Sequence, residues 1–412
     1  MTDILPADRL ARRITAHRSA HDADEVRVRV TDSVTSAYRT GYDGAVSRRG
    51  GTHRTVVVSV RTGSHWSTEL SDGAAPPLPH PPPTDAAGRV SACLLDPATG
   101  QPCPEVVDAE YAETSSEVTV LDAGGLTRWD HTHRRLRHWV GGAGGQHLEG
   151  AVTWGDRLPD PLVPREERLG LLAVRDAGPG PRGTMPVLLR PAVALHLVNL
   201  LASMVNGTNV LGGMRALRGR VGRRIAAPAV TVVDDGRLDG PYGSLVDDEG
   251  VPTARNVLLE SGVLRGFLHS RATAAAFGCP PNGCAVRSQP DGPIGPAVRG
   301  FALLPGGGGG AGASGGSDGV DELRALLGTG FEAVAVCRPA VRTNGGRKIR
   351  LELFGWHVRA GERDRPVGPV TLEVGLFGWL RTVAACGPTL HHSAVFRGLA
   401  APAVLLSEGS VG

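Results

Sequence analysis

From Glu25 the chain reads "EVRVRVT", and valine alternating with charge places Val26, Val28 and Val30 on one side of an extended segment. That pattern predicts a half-buried strand. "RTVVVSVRTGSHWSTEL" continues the theme on both sides of Thr62-Gly63-Ser64, which predicts a hairpin turning there. "SEVTVLD" and, beyond Gly124-Gly125, "LTRWDHTHRRLRHWV" predict two further strands. Ahead of them, Leu5, Leu10 and Ile14 recur among arginines, so residues 5–20 are expected to form one amphipathic helix. Residues 1–180 are therefore expected to be an α+β domain, a helix with an antiparallel sheet.

The pattern changes after "RDAGPGPRGTMP", residues 175–186, whose glycines and prolines predict a break. "ALHLVNLLASMVNG", residues 194–207, is apolar on nearly every face and interrupted only by His196, Asn199 and Ser203. Such a helix belongs in the core of a large domain. "APAVTVVDDGRLDGPYGSLVDDEGVPT" and "NVLLESGVLRGFLHSRATAAAFG" alternate short Val/Leu strands with Gly/Asp turns and close on an Ala-rich helix. "KIRLELFGWHVRAGERDRPVGPVTLEV" predicts paired strands around Ala360-Gly361. Residues 187–412 are thus expected to be a mainly β domain, a barrel or sandwich with a buried helix. Residues 73–88, "GAAPPLPHPPPTDAAG", are expected to be a stiff exposed insert, and residues 305–318, "PGGGGGAGASGGSD", a flexible loop. The latter lacks the GKS or GKT ending of a phosphate loop.

Composition narrows the classes. The 412 residues suffice for two domains, and with 41% hydrophobic residues no run approaches the ~20 apolar residues of a membrane span. "MTDILPADRLARRITAHRSA" lacks the basic start and apolar core of a secretory signal, so a cytoplasmic protein is expected. Net charge is +3 and the arginines are dispersed, with Lys348 the one lysine, which argues against nucleic-acid binding. Cys93, Cys103, Cys279, Cys284, Cys337 and Cys386 form no CxxC pair, and no zinc-finger spacing follows Cys279 and Cys284. Free thiols are expected.

Several clusters carry potential chemistry. Asp234, Asp235, Asp247, Asp248 and Glu249 would allow acid–base pairing, but carboxylates beside glycine at strand ends ordinarily cap local backbone N–H groups. "WDHTHRRLRHW", with His131, His133, His138 and interleaved arginines, suits contact with an acidic or aromatic ligand, or one face of an ordinary strand. No GxSxG elbow or Ser-His-Asp order is present.

"GRVGRRIAAPAVTVVDDGRL", "DDEGVPT", "ESGVLRGFLHSRATAAAFG" and "GERDRPVGPVTL", in this order and spacing, resemble the C-terminal domain of the TldD/PmbA family, whose second branch is also called TldE. The resemblance runs from about Glu25 to the end and is weaker in the first half. It implies a TldD–TldE heterodimer that acts as a metallopeptidase on unfolded peptides, including peptide-antibiotic precursors. In that family the TldD half carries an HExxxH helix and a cysteine near the C-terminus, with zinc or iron expected there, and the TldE half carries no metal. The helix matters because its two imidazoles hold the ion while the glutamate deprotonates the bound water.

Counting back from "ALRGRVG" places the three HExxxH positions at Val198, Asn199 and Ser203. Valine has no donor, asparagine cannot act as the base, and serine is a poor zinc ligand. The resemblance therefore implies a TldE-like subunit with no catalytic residue and no metal of its own, and His196 as a core histidine. Cys386, His391 and His392 in "AACGPTLHHS" are the remaining candidate ligands, the two histidines being expected on a surface loop. The expected partner is a TldD-like, HExxxH-bearing subunit, and the expected contribution is a substrate channel that holds unfolded peptide by strand addition. A non-catalytic peptide-binding or regulatory protein of a biosynthetic pathway is the alternative.

Overall fold

A computed structural model describes residues 23–41, 46–62, 65–73, 106–122, 125–140 and 147–154, and all of 177–412 except 214, 241, 289–291, 306–318 and 344–347. Ahead of these it describes residues 12, 14–16, 18 and 19, all helical, as the amphipathic pattern predicts. The proline-rich insert after Gly73 and the glycine-rich loop after Pro305 lie outside the described residues.

Six strands form an antiparallel sheet: β1 (Glu25–Gly41), β2 (Val46–Thr62), β3 (His65–Gly73), β4 (Val106–Asp122), β5 (Gly125–Val140) and β6 (His147–Trp154). They lie side by side in the order β3-β2-β1-β4-β5-β6. The expected hairpin forms, closed at Thr62↔His65, and the two further strands pair with each other from Asp122↔Gly125. Alternation does what the sequence predicts, because Val26, Val28 and Val30 face Val60, Val58 and Val56 across the ladder. These valines are buried with Ala23, and Ile14 of the N-terminal helix packs on them.

The rest of the chain starts earlier than its Gly/Pro content suggests. Gly178 bridges Val367, and β7 (Gly183–Leu189) begins inside the expected break, with Val187, Leu188 and Leu189 fully buried. Helix α1 (Pro191–Met204) follows, three residues ahead of the expected stretch at both ends. Proline suits its first turn, where an N–H has no intrahelical partner. Asn206 then caps α2 (Gly207–Gly212), accepting from the backbone N–H groups of Thr208 and Asn209 at 2.9 and 3.4 Å. After α3 (Arg215–Arg218) come β8 (Val232–Asp235), β9 (Arg255–Glu260), β10 (Val263–Leu264), α4 (Arg271–Phe277), β11 (Ala285–Arg287), β12 (Ile294–Pro296) and β13 (Phe301–Leu303). The chain ends with α5 (Val320–Leu327), β14 (Gly330–Thr343), β15 (Lys348–Arg359), β16 (Glu362–Gly375), α6 (Gly378–Thr382), β17 (Val383–Cys386), β18 (His391–His392), β19 (Leu399–Ala401) and β20 (Val404–Val411).

The order β16-β15-β14-β7-β20, with β16 also paired to β20 through Leu372↔Val411, closes a barrel, and β17 extends it beyond β20. Closure removes the strand edges that an open sheet would expose. The β15–β16 hairpin turns at Ala360 and Gly361, whose φ values of 53° and 79° suit the two positive-φ positions of a tight two-residue turn. A second sheet runs β10-β9-β8-β13-β19-β18. Helix α1 packs against β7 and β14 of the barrel and against β13 and β19 of the second sheet. Leu197, Val198 and Leu201 accordingly join one apolar core with Leu189, Phe331 and Leu353 from the barrel and Phe301, Leu303 and Leu399 from the second sheet.

The face of the N-terminal sheet opposite the valines lies on this C-terminal body. Val118, Val120 and Trp129 pack with Val246, Arg29 forms an ion pair with Asp248, and Arg137 Nε donates to the Ala394 carbonyl at 3.0 Å.

Candidate functional site

Helix α1 is apolar except for one stripe. His196, Asn199 and Ser203 fall three and four residues apart, the spacing that aligns side chains on one helical face. Asn199 is exposed, whereas Ser203 turns its hydroxyl back on the helix and donates to the Leu200 carbonyl at 2.7 Å. Val198 lies on another face, 0% exposed within the core. His196 is half-buried, its ring edge-on to Phe396 with centroids 4.9 Å apart. The three positions that the sequence resemblance sets against the metal helix thus offer one hydroxyl and one amide, and only those two share a face. This donor set does not fit a catalytic zinc, which takes imidazole, thiolate or carboxylate ligands and a nearby base.

Cys386, His391 and His392 are distributed over two sheets. Cys386 ends β17 beside β20, buried, and burial pushes its thiol up to about 12, so the thiolate that binds metal is disfavoured at neutral pH. The histidines are not on a surface loop: they form β18, half-buried and paired to Ala401 and Ala400 of β19. Adjacent strand residues point to opposite faces, so the two imidazoles diverge. Among the described residues, no three His, Cys, Asp or Glu side chains gather as a metal-holding group.

The acidic run is committed to backbone, locally as expected and also over long range. Asp247 accepts from the N–H groups of Glu249 and Val251 at 2.9 and 2.8 Å, and also from distant Ala285 at 3.0 Å. Asp234, 0% exposed, accepts from Arg299 and Gly300 N–H, both at 2.9 Å, because β8 pairs with β13 and brings that turn beside it. Burial raises both carboxyls above their ordinary value despite these bonds. Asp235 is tied to Arg237, and Glu249 accepts from Arg271 N–H at 2.6 Å. Asp248 goes to the junction with the N-terminal sheet, where Arg29 and Arg299 outweigh burial and lower its pKa. These bonds hold loops in place; they leave no opposed acid and base.

On β5, Trp129, His131, Arg135 and Arg137 alternate onto the face that meets the C-terminal body, so the strand reading of "WDHTHRRLRHW" holds. Sequence reasoning missed what this face meets. Tyr242 and Arg397, from "GPYGS" and "VFRGL", come together with the Arg397 guanidinium 4.8 Å from the phenol ring centroid. Neither lies in a periodic or motif-like stretch that would have marked it.

Comparison with known proteins fits this architecture. Residues 182–412 match the family model described as the PmbA/TldA metallopeptidase C-terminal domain. A metalloprotease of Methanothermobacter thermautotrophicus is 36% identical over 248 residues, covering 59% of this chain and 52% of that protein. A metalloprotease TldD homolog of Haemophilus influenzae is 35% identical over 113 residues, 26% of this chain and 23% of its own length. The chain thus spans about half, or less, of the length of these curated relatives. Among solved structures, a putative modulator of a DNA gyrase from Thermotoga maritima superposes with a TM-score of 0.76 at 19% identity, covering 98% of this chain and 100% of that one. TldE from Thermococcus kodakarensis superposes with a TM-score of 0.73 at 14% identity, covering 98% and 99%. The fold is shared over 98% of the chain, and with the family model matched across the barrel, α1 and the second sheet, the protein belongs to the PmbA/TldD metallopeptidase family.

Proposed function

We propose that this chain is a TldE-like, metal-free subunit that pairs with a TldD-like, HExxxH-bearing partner and contributes the substrate channel of a peptidase acting on unfolded peptides or peptide natural-product precursors. One observation carries the reading. The α1 positions aligned with the family's metal helix hold a core valine, an exposed amide and a hydroxyl bonded back to its own helix. Losing both imidazoles and the carboxylate removes metal affinity and the general base together, and loss of a general base alone costs about 10²–10⁴ in rate. Zinc or iron then resides in the partner. The N-terminal helix and sheet, residues 1–180, and the C-terminal body, residues 187–412, act as two domains whose junction carries the groups that meet the peptide.

The test is purification of the chain alone and with an HExxxH-bearing partner, followed by elemental analysis and an unfolded-peptide assay. Metal and cleavage are expected only with the partner, and both should vanish when the partner's HExxxH helix is mutated. Stoichiometric metal and cleavage by the isolated chain, lost on Cys386→Ala, would overturn the reading. Peptide binding with no cleavage under any partner would favour the non-catalytic alternative.

A further inference from the structure

We propose that Arg135, Arg137 and Arg397, gathered around Tyr242 where the N-terminal sheet meets the 393–398 loop, bind a carboxylate of the substrate peptide. The ligand's being a peptide rests on the function proposed above. The site itself rests on geometry.

Strand alternation puts Arg135 and Arg137 on the same face of β5 as Trp129, and Trp129 packs with Val246 of the C-terminal body. The facing loop is held firmly. Ser393, buried, accepts from the N–H groups of Val395 and Phe396 at 3.2 and 2.8 Å, and its own N–H donates to the Leu399 carbonyl at 2.8 Å. Arg137 Nε fastens to the Ala394 carbonyl of that loop at 3.0 Å, three residues before Arg397, whose guanidinium stacks on Tyr242. Arg397, Arg135 and Arg137 all act electrostatically on the half-buried Tyr242 phenol; Arg135 and Arg137 are themselves half-buried and Arg397 is exposed.

Among the described residues the charges there do not balance. Glu110 takes one bond from Arg135 Nη2 at 3.0 Å, and among the described residues no carboxylate lies within ion-pair distance of Arg137 or Arg397. Arg137 is half-buried with a like charge beside it: burial first, then repulsion from Arg135, lowers its pKa. An anion bound between Arg137 and Arg397 relieves that repulsion. The planar guanidinium fork matches a carboxylate with two parallel N–H donors. A nucleic-acid backbone would call for a continuing basic stripe, whereas net charge is only +3 and the remaining arginines are dispersed. The location suits a peptide channel, because Phe396, between Ala394 and Arg397, carries the ring that contacts His196 on the polar stripe of α1.

The carboxylate has two sources, a peptide C-terminus or an acidic side chain. Three unstructured peptides without other acidic residues separate them in calorimetric titrations of the full chain: a free acid, its C-terminal amide, and the amide with one internal glutamate. Either carboxylate-bearing peptide should bind about tenfold tighter than the plain amide, the size of one charge-assisted hydrogen bond. That advantage should disappear in Arg137→Gln/Arg397→Gln. If the double variant loses its folded circular-dichroism spectrum, Arg397→Gln alone decides, since among the described residues Arg397 makes no hydrogen bond or ion pair to the sheet and the substitution leaves the Arg137 bond to Ala394 intact; the advantage should then fall at least about threefold. Equal binding of the three peptides, no measurable heat from any of them, an advantage that survives the deciding variant, or tighter binding of a random-sequence oligonucleotide would each overturn the proposal. Partner-dependent cleavage is a separate readout. A chain that supports cleavage yet binds the three peptides equally sinks the subsite and leaves the proposed function standing. Carboxylate-dependent binding without cleavage does the reverse.

Discussion

Strands β1 and β2 pair without a slip from Glu25↔Arg61 to Thr40↔Val46, whereas β14 and β15 shift register between Ala333 and Ala335, between Val336 and Arg338, and between Arg338 and Val341. The difference follows from what each sheet must do. The open N-terminal sheet keeps a nearly regular ladder, slipping among its described pairs only between Val106 and Asp108 of β4, while a strand bent into a closed barrel needs bulges to turn. Burial differs as well. The N-terminal sheet buries polar side chains in pairs, Asp32 with Arg54 at 2.5 Å and Glu113 with Arg134 at 2.9 Å, beside small valine and tyrosine clusters. The C-terminal body has one large apolar core threaded by α1, with smaller clusters beside it. Stability is therefore concentrated in the C-terminal body. The sheet serves as a platform whose second face is free to carry arginines.

The largest expected effect breaks a buried charge of the barrel. Glu332, 0% exposed on β14, accepts from Arg363 at 2.9 and 2.7 Å and from Arg324 at 2.8 and 3.3 Å. Burial alone would raise its pKa, but the bonds from Arg363 and Arg324 win and lower it from 4.5 to about 2. Glu332→Ala takes the shared carboxylate from these arginines and should cost about 3–5 kcal/mol in denaturant unfolding at neutral pH. The sign of the pH dependence follows from the lowered value. The stabilisation is present above about 4.5 and is lost as pH falls through about 2. Glu332→Gln should flatten that part of the acid limb, and an unchanged acid limb would remove Glu332 from the account.

Next comes core truncation in each region. Leu197 on α1 and Val28 on β1 are both 0% exposed. Leu197→Ala should cost about 2–5 kcal/mol, because the packed core around α1 cannot collapse into the space. Val28→Ala removes two carbons and should cost about 1.6 kcal/mol at ~0.8 per carbon. Equal or reversed losses by denaturant unfolding would break the claim that the C-terminal core dominates.

How much of this was legible depended on the distance between the groups involved. Val26, Val28 and Val30, the N-terminal hairpin and the two further strands, the apolar helix and the Ala360-Gly361 turn are local patterns, and each was readable from neighbouring residues. Strand β7 was hidden because its Val187, Leu188 and Leu189 follow a Gly/Pro run that reads as punctuation. Barrel closure depends on Leu372 meeting Val411, and Asp234 holds a turn 65 residues away, neither of which leaves a local trace. At the candidate site, the Val198, Asn199 and Ser203 alignment came from resemblance, while Arg137 and Ala394 meet across 257 residues. Periodicity reports which face a side chain takes; it is silent on what that face meets.

A smaller effect is expected at the junction of the two regions. The Arg29 guanidinium pairs with Asp248 and lies 5.8 Å over Trp129, with side-chain exposures of 22% for Arg29 and 17% for Asp248. Arg29→Ala leaves Asp248 with the Arg287 N–H at 2.7 Å and Arg299 at 3.7 Å, so its charge is not abandoned. The expected cost is about 1–2 kcal/mol, discounted for partial exposure. If the two proposed domains are coupled mainly here, a single calorimetric transition should split, the sheet melting first. A variant that melts in one unshifted transition would show that coupling lies elsewhere.

The smallest expected effect separates a packing histidine from a ligand on the helix that joins both sheets. The His196 ring meets Phe396 edge-on at 4.9 Å, and such aromatic pairs contribute about 0.5–1.5 kcal/mol beyond buried area. His196→Ala should lower stability by about that amount, and His196→Phe should recover most of it, because a second ring can offer the same edge without a nitrogen. A ligand would behave otherwise: phenylalanine cannot coordinate metal, so both variants would lose bound ion alike. Melting curves of the two variants, read beside elemental analysis of each in complex with an HExxxH-bearing partner, distinguish the cases. Rescue by phenylalanine with unchanged metal content supports packing. Failure of rescue together with a proportional loss of zinc or iron would make His196 a ligand and would bring catalytic chemistry back to a helix that otherwise serves as the core of the C-terminal body.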